Sequence, residues 1–337
     1  MALTKDYPYM YARVSAKKAK LLDESDYENF MKMEANEIAR NLQEGEYKED
    51  IDAIGSNYEG VRLVELGLTR NLVRSLSELV EMAPEDLTEI LEAYLRRYDI
   101  LSIKRLLKWK LSGKEDIDIQ AILTPVSSFT YKELKDLSEK DFEEIVESLD
   151  FEAQIDYSEY LEGKETVSEI ETALDQAYFD ELSLLENRVS SKEFARFLKR
   201  EMEHQNLTVA LRLKKQGAEK EDIRARMIEN GGSKIVDRVI ESEGLNQAVD
   251  VLADEGMIGS TDETLEEIEK ELEVNRLQQA LKMLHTEPLG LTSIIGYIIA
   301  KITEVENLRM LIRAKETGIH NVETIRRNLI LAKKVRN

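Results

Sequence analysis

The residues able to do chemistry are few and badly spaced for it. The three histidines, His204, His285 and His320, never stand within one helical turn of each other. They cannot share a metal ion as an HExxH pair would, and they read as surface or helix-end residues. Cysteine is absent, which removes disulfides, thiol nucleophiles and zinc–thiolate sites together. Gly113-Lys114-Glu115 and Gly163-Lys164-Glu165 lack both the upstream glycine and the hydroxyl residue of a phosphate-cradling loop. No GxGxxG, GxSxG or DDxxD occurs. With 68 acidic residues, choosing any two as acid and base carries no specificity. The sequence therefore assigns no catalytic residue, no metal ligand and no cofactor.

What recurs instead is a polar pattern at fixed spacing. Arg96, Asp99, Ser102, Lys110 and Gly113 form its first copy. Arg200, Glu203, Asn206, Lys214 and Gly217 form the second, and Lys301, Glu304, Asn307, Lys315 and Gly318 the third. The acidic anchors lie 104 and 101 residues apart. Each Arg/Lys-x-x-Asp/Glu pair reads as an i, i+3 ion pair on a solvated helix face; the alternative is a buried or interfacial polar seam. The repeated Ser or Asn either hydrogen-bonds between helices or marks a packing constraint. Lys110, Lys214 and Lys315 sit in the last turn of a helix, where the macrodipole favours a cation by ~0.3–1 kcal/mol. If those ends converge on one recess, they and Arg96, Arg200 and Lys301 form a basic partner interface.

Charge is segregated to match. Residues 9–22 hold four basic side chains and no acid, 96–114 hold seven against Asp99, and 309–337 hold eight against Glu316 and Glu323. The chain as a whole carries a formal −21. Either these stretches pair with acidic helices inside the molecule, or they receive an acidic helical partner. Trp109, the single tryptophan, reads as core edge or as an interface anchor. Such an acidic chain should bind no nucleic acid.

The elements that must position these residues are helices. The 337 residues contain only 15 glycines and 4 prolines, too few for a turn-rich β fold. Ser25/Glu28, Thr130/Glu133, Ser168/Glu171, Ser190/Glu193 and Thr264/Glu267 fit the capping box. Pro84 and Pro288 fit a helical first turn. The anchors thus lie on three long helices, predicted near 84–112, 190–216 and 288–317, each roughly 40 Å long. Second helices are predicted at 61–82, 169–188 and 264–284, and earlier helical stretches at 27–42, 131–149 and 233–252. The nearest strand candidate is 117–123. The fold class is all-α, in three copies of one unit: 1–113, 114–217 and 218–337. The longest apolar run, 293–300, is far short of the ~20 residues that span a bilayer, so direct membrane insertion is not expected.

At these residues the sequence resembles the C subunit of archaeal A-type ATP synthases and its counterpart, the d subunit of vacuolar ATPases. Residues 11–22 are similar to the family's YxNARVRAMKSRLL stretch. Asp99 to Gly113 is similar to its D-x-x-N segment, and 287–318 to its P-x-G…GYxxAKExEVxNLR ending. Ser102, Ile302, Thr303, Ala314 and the Ile155-Asp156-Tyr157 turn depart from that pattern. The resemblance implies a funnel of three similar helical domains with pseudo-threefold symmetry. It implies a non-catalytic rotor part that couples the D and F subunits of the central stalk to the membrane ring of proteolipid subunits. Its place would be peripheral, on the cytoplasmic face of the cell membrane. A free-standing helical scaffold for another acidic partner is the alternative, although repeats of about 100 residues are long for a solenoid.

Overall fold

A computed structural model describes residues 6–112, 123–126, 129–141, 144–145, 167–186, 191–261 and 264–331. Among the described residues the regular elements are helical throughout, with no strand. Gly113 and most of the 117–123 candidate lie outside them.

In chain order the helices are α1 (Pro8–Lys18), α2 (Glu24–Phe30), α3 (Ala35–Glu44), α4 (Lys48–Asp52), α5 (Gly60–Met82) and α6 (Glu85–Ser112). They continue with α7 (Tyr131–Glu139), α8 (Val167–Glu186), α9 (Lys192–Lys215) and α10 (Lys220–Ala225). After a 3₁₀ turn at Glu229–Gly231 come α11 (Lys234–Glu241), α12 (Leu245–Asp254), α13 (Leu265–Thr286), α14 (Leu291–Glu316) and α15 (Val322–Asn328). The three long helices, α6, α9 and α14, begin and end within a few residues of the predicted limits.

The caps explain most of the boundaries. Thr130 and Glu133 exchange side-chain and backbone bonds at the start of α7, and Thr264 and Glu267 do so at α13. Elsewhere the predicted box is displaced. α2 is capped by Asp23 with Asp26 in place of Ser25 with Glu28, because Asp23 reaches two amides of the first turn. The hydroxyl that caps α9 is that of Ser191, whereas Ser190 lies outside the described residues. Ser168 falls inside α8, which opens at Val167. Pro288 precedes α14 by a full turn, and Gly290 is the N-cap. Two stretches predicted as single helices are each broken in two, and of the third, 131–149, the helix ends at Glu139 while 142–143 and 146–149 lie outside the described residues. Glu34 starts a new capped helix, α3, after the turn at 31–33. Gly244, at φ +142°, turns the chain between α11 and α12. Gly217 and Gly318 take positive φ, 77° and 81°, just past α9 and α14, the left-handed ending that glycine permits.

The helices pack as two units. One holds residues 6–136 and 277–337, the other 137–276. In the first, α14 is the central helix. From Leu291 to Val305 every side chain is buried, and α1, α3 and α5 pack on it. A helix buried on all sides must lie in a core or a membrane. α14 takes the first course, and among the described residues no helix is long and apolar enough to cross a bilayer. Gly296 lets the backbone of α13 approach closely: a Cβ there would stand 2.6 Å from the Ala280 carbonyl oxygen. In the second unit Leu207 and Leu211 of α9 meet Val236, Val239 and Ile240 of α11, Ala248 and Leu252 of α12, and Ile268 and Leu272 of α13.

Candidate functional site

The repeated Ser or Asn position lies buried on each long helix and does one task in all three repeats. Asn206 sits mid-way along α9 and is almost fully buried. Its Oδ1 accepts from the Ile228 amide at 2.8 Å and its Nδ2 donates to the Ile228 carbonyl at 3.0 Å. Asn307 does the same for Ile330, at 2.7 and 2.8 Å. Ser102 makes half of that bridge. Its hydroxyl accepts from the Thr124 amide at 2.8 Å, and Asp99 Oδ1 takes the Val126 amide at 3.3 Å. In each repeat, then, a side chain on the long helix satisfies the backbone of chain 22 or 23 residues downstream. That backbone belongs to no ladder, and burial without a partner would be costly. The bonds run from helix to descending backbone, so the open reading of helix-to-helix bonding is replaced.

The lysines before the closing glycines act on neighbouring helix ends. Lys214 is buried, and its Nζ donates to the carbonyls of Ile240, at 2.7 Å, and Ser242, at 2.5 Å. These close α11, whose last carbonyls have no partner within the helix. Burial, and then the nearby Lys220, hold this ammonium below the usual lysine range. Lys315 is also buried, and its Nζ donates to the Met31 carbonyl, the C-cap of α2, at 2.7 Å. Both ammonium groups serve the end of a different helix, by hydrogen bonds shorter in reach than a macrodipole effect. Lys110 is only half-buried.

The basic–acidic pairs diverge. Lys301 and Glu304 form the polar seam inside the core. Both are buried, 2.9 Å apart, and Tyr47 joins them: its hydroxyl donates to Glu304 at 2.5 Å and accepts from Lys301 at 2.9 Å. Glu304 also accepts the Leu22 amide at 2.6 Å, so α14 is tied at one carboxylate to Tyr47, just before α4, and to Leu22, between α1 and α2. Burial, followed by the Glu304 charge, pushes the Tyr47 and Tyr27 phenols far above their ordinary range. Arg200 is exposed and Glu203 half-buried, without an ion pair between them among the described residues. Arg96 is half-buried and Asp99 fully buried.

Several interactions had no signal in the spacing. Glu201 is buried with Arg276 in a two-point ion pair, at 2.7 and 2.9 Å. His204 lies within α9, mostly buried, 2.9 Å from Glu273, and so is neither a surface nor a helix-end residue. His285 and His320 are near helix ends as expected, beside Lys18 and Glu34. Trp109 lies half-buried at the core edge. Much of the basic charge pairs internally: Lys17 with Glu78, Lys20 with Glu46, Arg313 with Glu65 and Arg326 with Glu28. Among the described residues no group of acidic and histidine side chains could hold a metal ion.

Among the described residues the arrangement is one of bracing, and the similarity to known proteins runs over nearly the whole chain. The C subunit of the A-type ATP synthase of Methanococcoides burtonii is 32% identical over 97% of this chain and 94% of its own length. Its counterpart in Methanosarcina acetivorans is 33% identical over 94% and 91%. That of Archaeoglobus fulgidus is 30% identical over 96% of each. The sequence profile described as "ATP synthase (C/AC39) subunit" matches residues 10–327. On that match and on relatives 30–33% identical over nearly the whole chain, the chain belongs to the ATP synthase (C/AC39) subunit family.

Proposed function

We propose that this member of the ATP synthase is a non-catalytic rotor part, coupling the D and F subunits of the central stalk to the membrane ring of proteolipid subunits. Ion flow would drive ATP synthesis through it, or ATP hydrolysis would drive ion pumping. Its place is peripheral, on the cytoplasmic face of the cell membrane. Membership of the family across residues 10–327 carries this reading. The bracing supports it, because a part that transmits torque must resist bending. Long helices pinned along their length by buried side-chain-to-backbone bonds do so better than helices held by apolar packing alone. The division into three helical domains, 1–113, 114–217 and 218–337, belongs to the same proposal. So does the basic interface. Of its six residues, Arg96, Arg200 and Lys110 are the ones not buried and would supply contacts, while Lys214, Lys301 and Lys315 brace neighbouring segments. The test is reconstitution of the complex with and without this chain. ATP hydrolysis by the catalytic head should persist without it, and ion pumping across the vesicle should be lost. Pumping that survives its omission would overturn the proposal.

A further inference from the structure

Arg309 stands out among the arginines of the first unit. It is half-buried on α14, and its one hydrogen bond goes to the Thr69 hydroxyl, at 2.5 Å. It has no carboxylate partner among the described residues, unlike Arg313 one turn on, which pairs with Glu65. Burial, and then the charge of Arg105, hold the Arg309 guanidinium below its ordinary range. Arg313 adds to that crowding, while Glu306 and Glu65 oppose it. Like charges gathered on a chain of net −21, with Arg309 in no direct ion pair among the described residues, leave room for an anion from outside.

Beside them runs a groove of about 490 Å³ between α14 and α15. Arg309 and Arg313 line one side, and Met310 and Ile319 supply apolar surface. Ile319 is 41% exposed, one of few large apolar side chains left so open among the described residues. Glu306, at one end, is the single carboxylate of the lining. This mixture suits a protein segment better than a bare anion, since an anion has no use for the apolar wall. A helix is about 10 Å across, so the groove takes one face of it, with the axis outside.

We propose that this groove receives a partner helix bearing two carboxylates one turn apart, which meet Arg309 and, in exchange for Glu65, Arg313, with apolar side chains laid on Met310 and Ile319. Glu306 fixes the register by repelling acid at its end. The proposal rests on the reading above, and identifies where an acidic stalk helix docks.

The experiment uses the full chain and the purified D and F stalk subunits. Binding is measured at low and high salt, for wild type and for Arg309→Gln/Arg313→Gln. The double variant should bind about tenfold or more weakly with an unchanged melting temperature, and its affinity should depend less on salt. Glu306→Gln should tighten binding, which a purely structural role would not do. Arg224→Gln, in the other unit, serves as control and should leave affinity unchanged. If the double variant loses stability, Arg313→Gln alone decides on the same criterion, being an exposed change. Wild type that binds the stalk with the double variant binding equally well overturns the groove. Wild type that fails to bind the stalk overturns the functional reading instead. Anionic phosphatidylglycerol vesicles form the last arm: a variant that loses vesicle binding and keeps stalk binding assigns the arginines to lipid and also overturns the proposal.

Discussion

At the scale of the residue, one position in a repeat can carry different duties. Lys110, Lys214 and Lys315 share a spacing, yet two of them are buried hydrogen-bond donors and the first is half-buried. Lys214→Gln and Lys315→Gln should each lower unfolding free energy by about 1–3 kcal/mol, because carbonyls at a helix end lose their donor. Lys110→Gln should change it by less than about 0.5 kcal/mol. Urea denaturation of the three variants checks the order, and equal losses would refute it. The lysines' spacing was legible in the sequence, and so was a helix end beside each. What lay hidden was that the helix end in question belongs to a distant segment, 26 or 284 residues away. Spacing along one helix says nothing about its neighbours. For the same reason Tyr47 and Arg276, which complete the buried pairs of Glu304 and Glu201, had no motif to announce them.

At the scale of the element, periodicity and capping gave the long helices closely, and failed where the chain breaks. The stretches 27–42 and 233–252 are apolar enough to read as continuous. Their breaks come from a competing cap at Glu34 and from the positive φ of Gly244, local chemistry that an amphipathic pattern overrides on paper. The clamps allow a ranked prediction. Asn206→Ala and Asn307→Ala each remove two bonds to buried backbone and should cost about 2–3 kcal/mol, against about 1 kcal/mol for Ser102→Ala. Hydrogen exchange should show the Ile228 amide losing its protection in Asn206→Ala alone. An Ile228 amide as protected as in wild type would count against the clamp. Between α10 and α11, Glu241 accepts from Arg224 at 2.7 Å and from Lys220 at 2.9 Å. The Arg224 bond first, then Lys220, lower its carboxyl from 4.5 to about 2. A depressed carboxyl stabilises the fold above its unfolded value, and that contribution is lost as pH falls from about 4.5 towards 2. NMR titration of Glu241 should find its midpoint in that low range, and Glu241→Gln should flatten this limb of the acid-unfolding curve. A midpoint near 4.5 would refute the pairing.

At the scale of the whole molecule, composition and repeats made the all-α class legible and excluded a nucleotide loop. The purified chain should neither bind nor hydrolyse ATP, and calorimetry showing micromolar binding would contradict this. The sequence marked borders at 113 and 217 because glycines end helices there. The clamps cross such borders: Asn206 and Lys214 hold chain beyond 217. A terminating glycine reports where a helix stops, and leaves open which segment then folds back onto it.

The position of α14 has one more consequence, for the order in which the molecule is made. Its buried face supplies the centre around which α1, α3 and α5 pack, but more than 200 residues separate it from α5. On a ribosome, the unit formed by residues 137–276 has all its sequence first. The opening helices must wait, with their apolar faces uncovered, until the closing ones emerge. Contacts that span so much chain form slowly, and surfaces that wait are prone to aggregate. Newly made copies should therefore lean on a holding chaperone at their N-terminal end, and be released from it only after α14 has been translated.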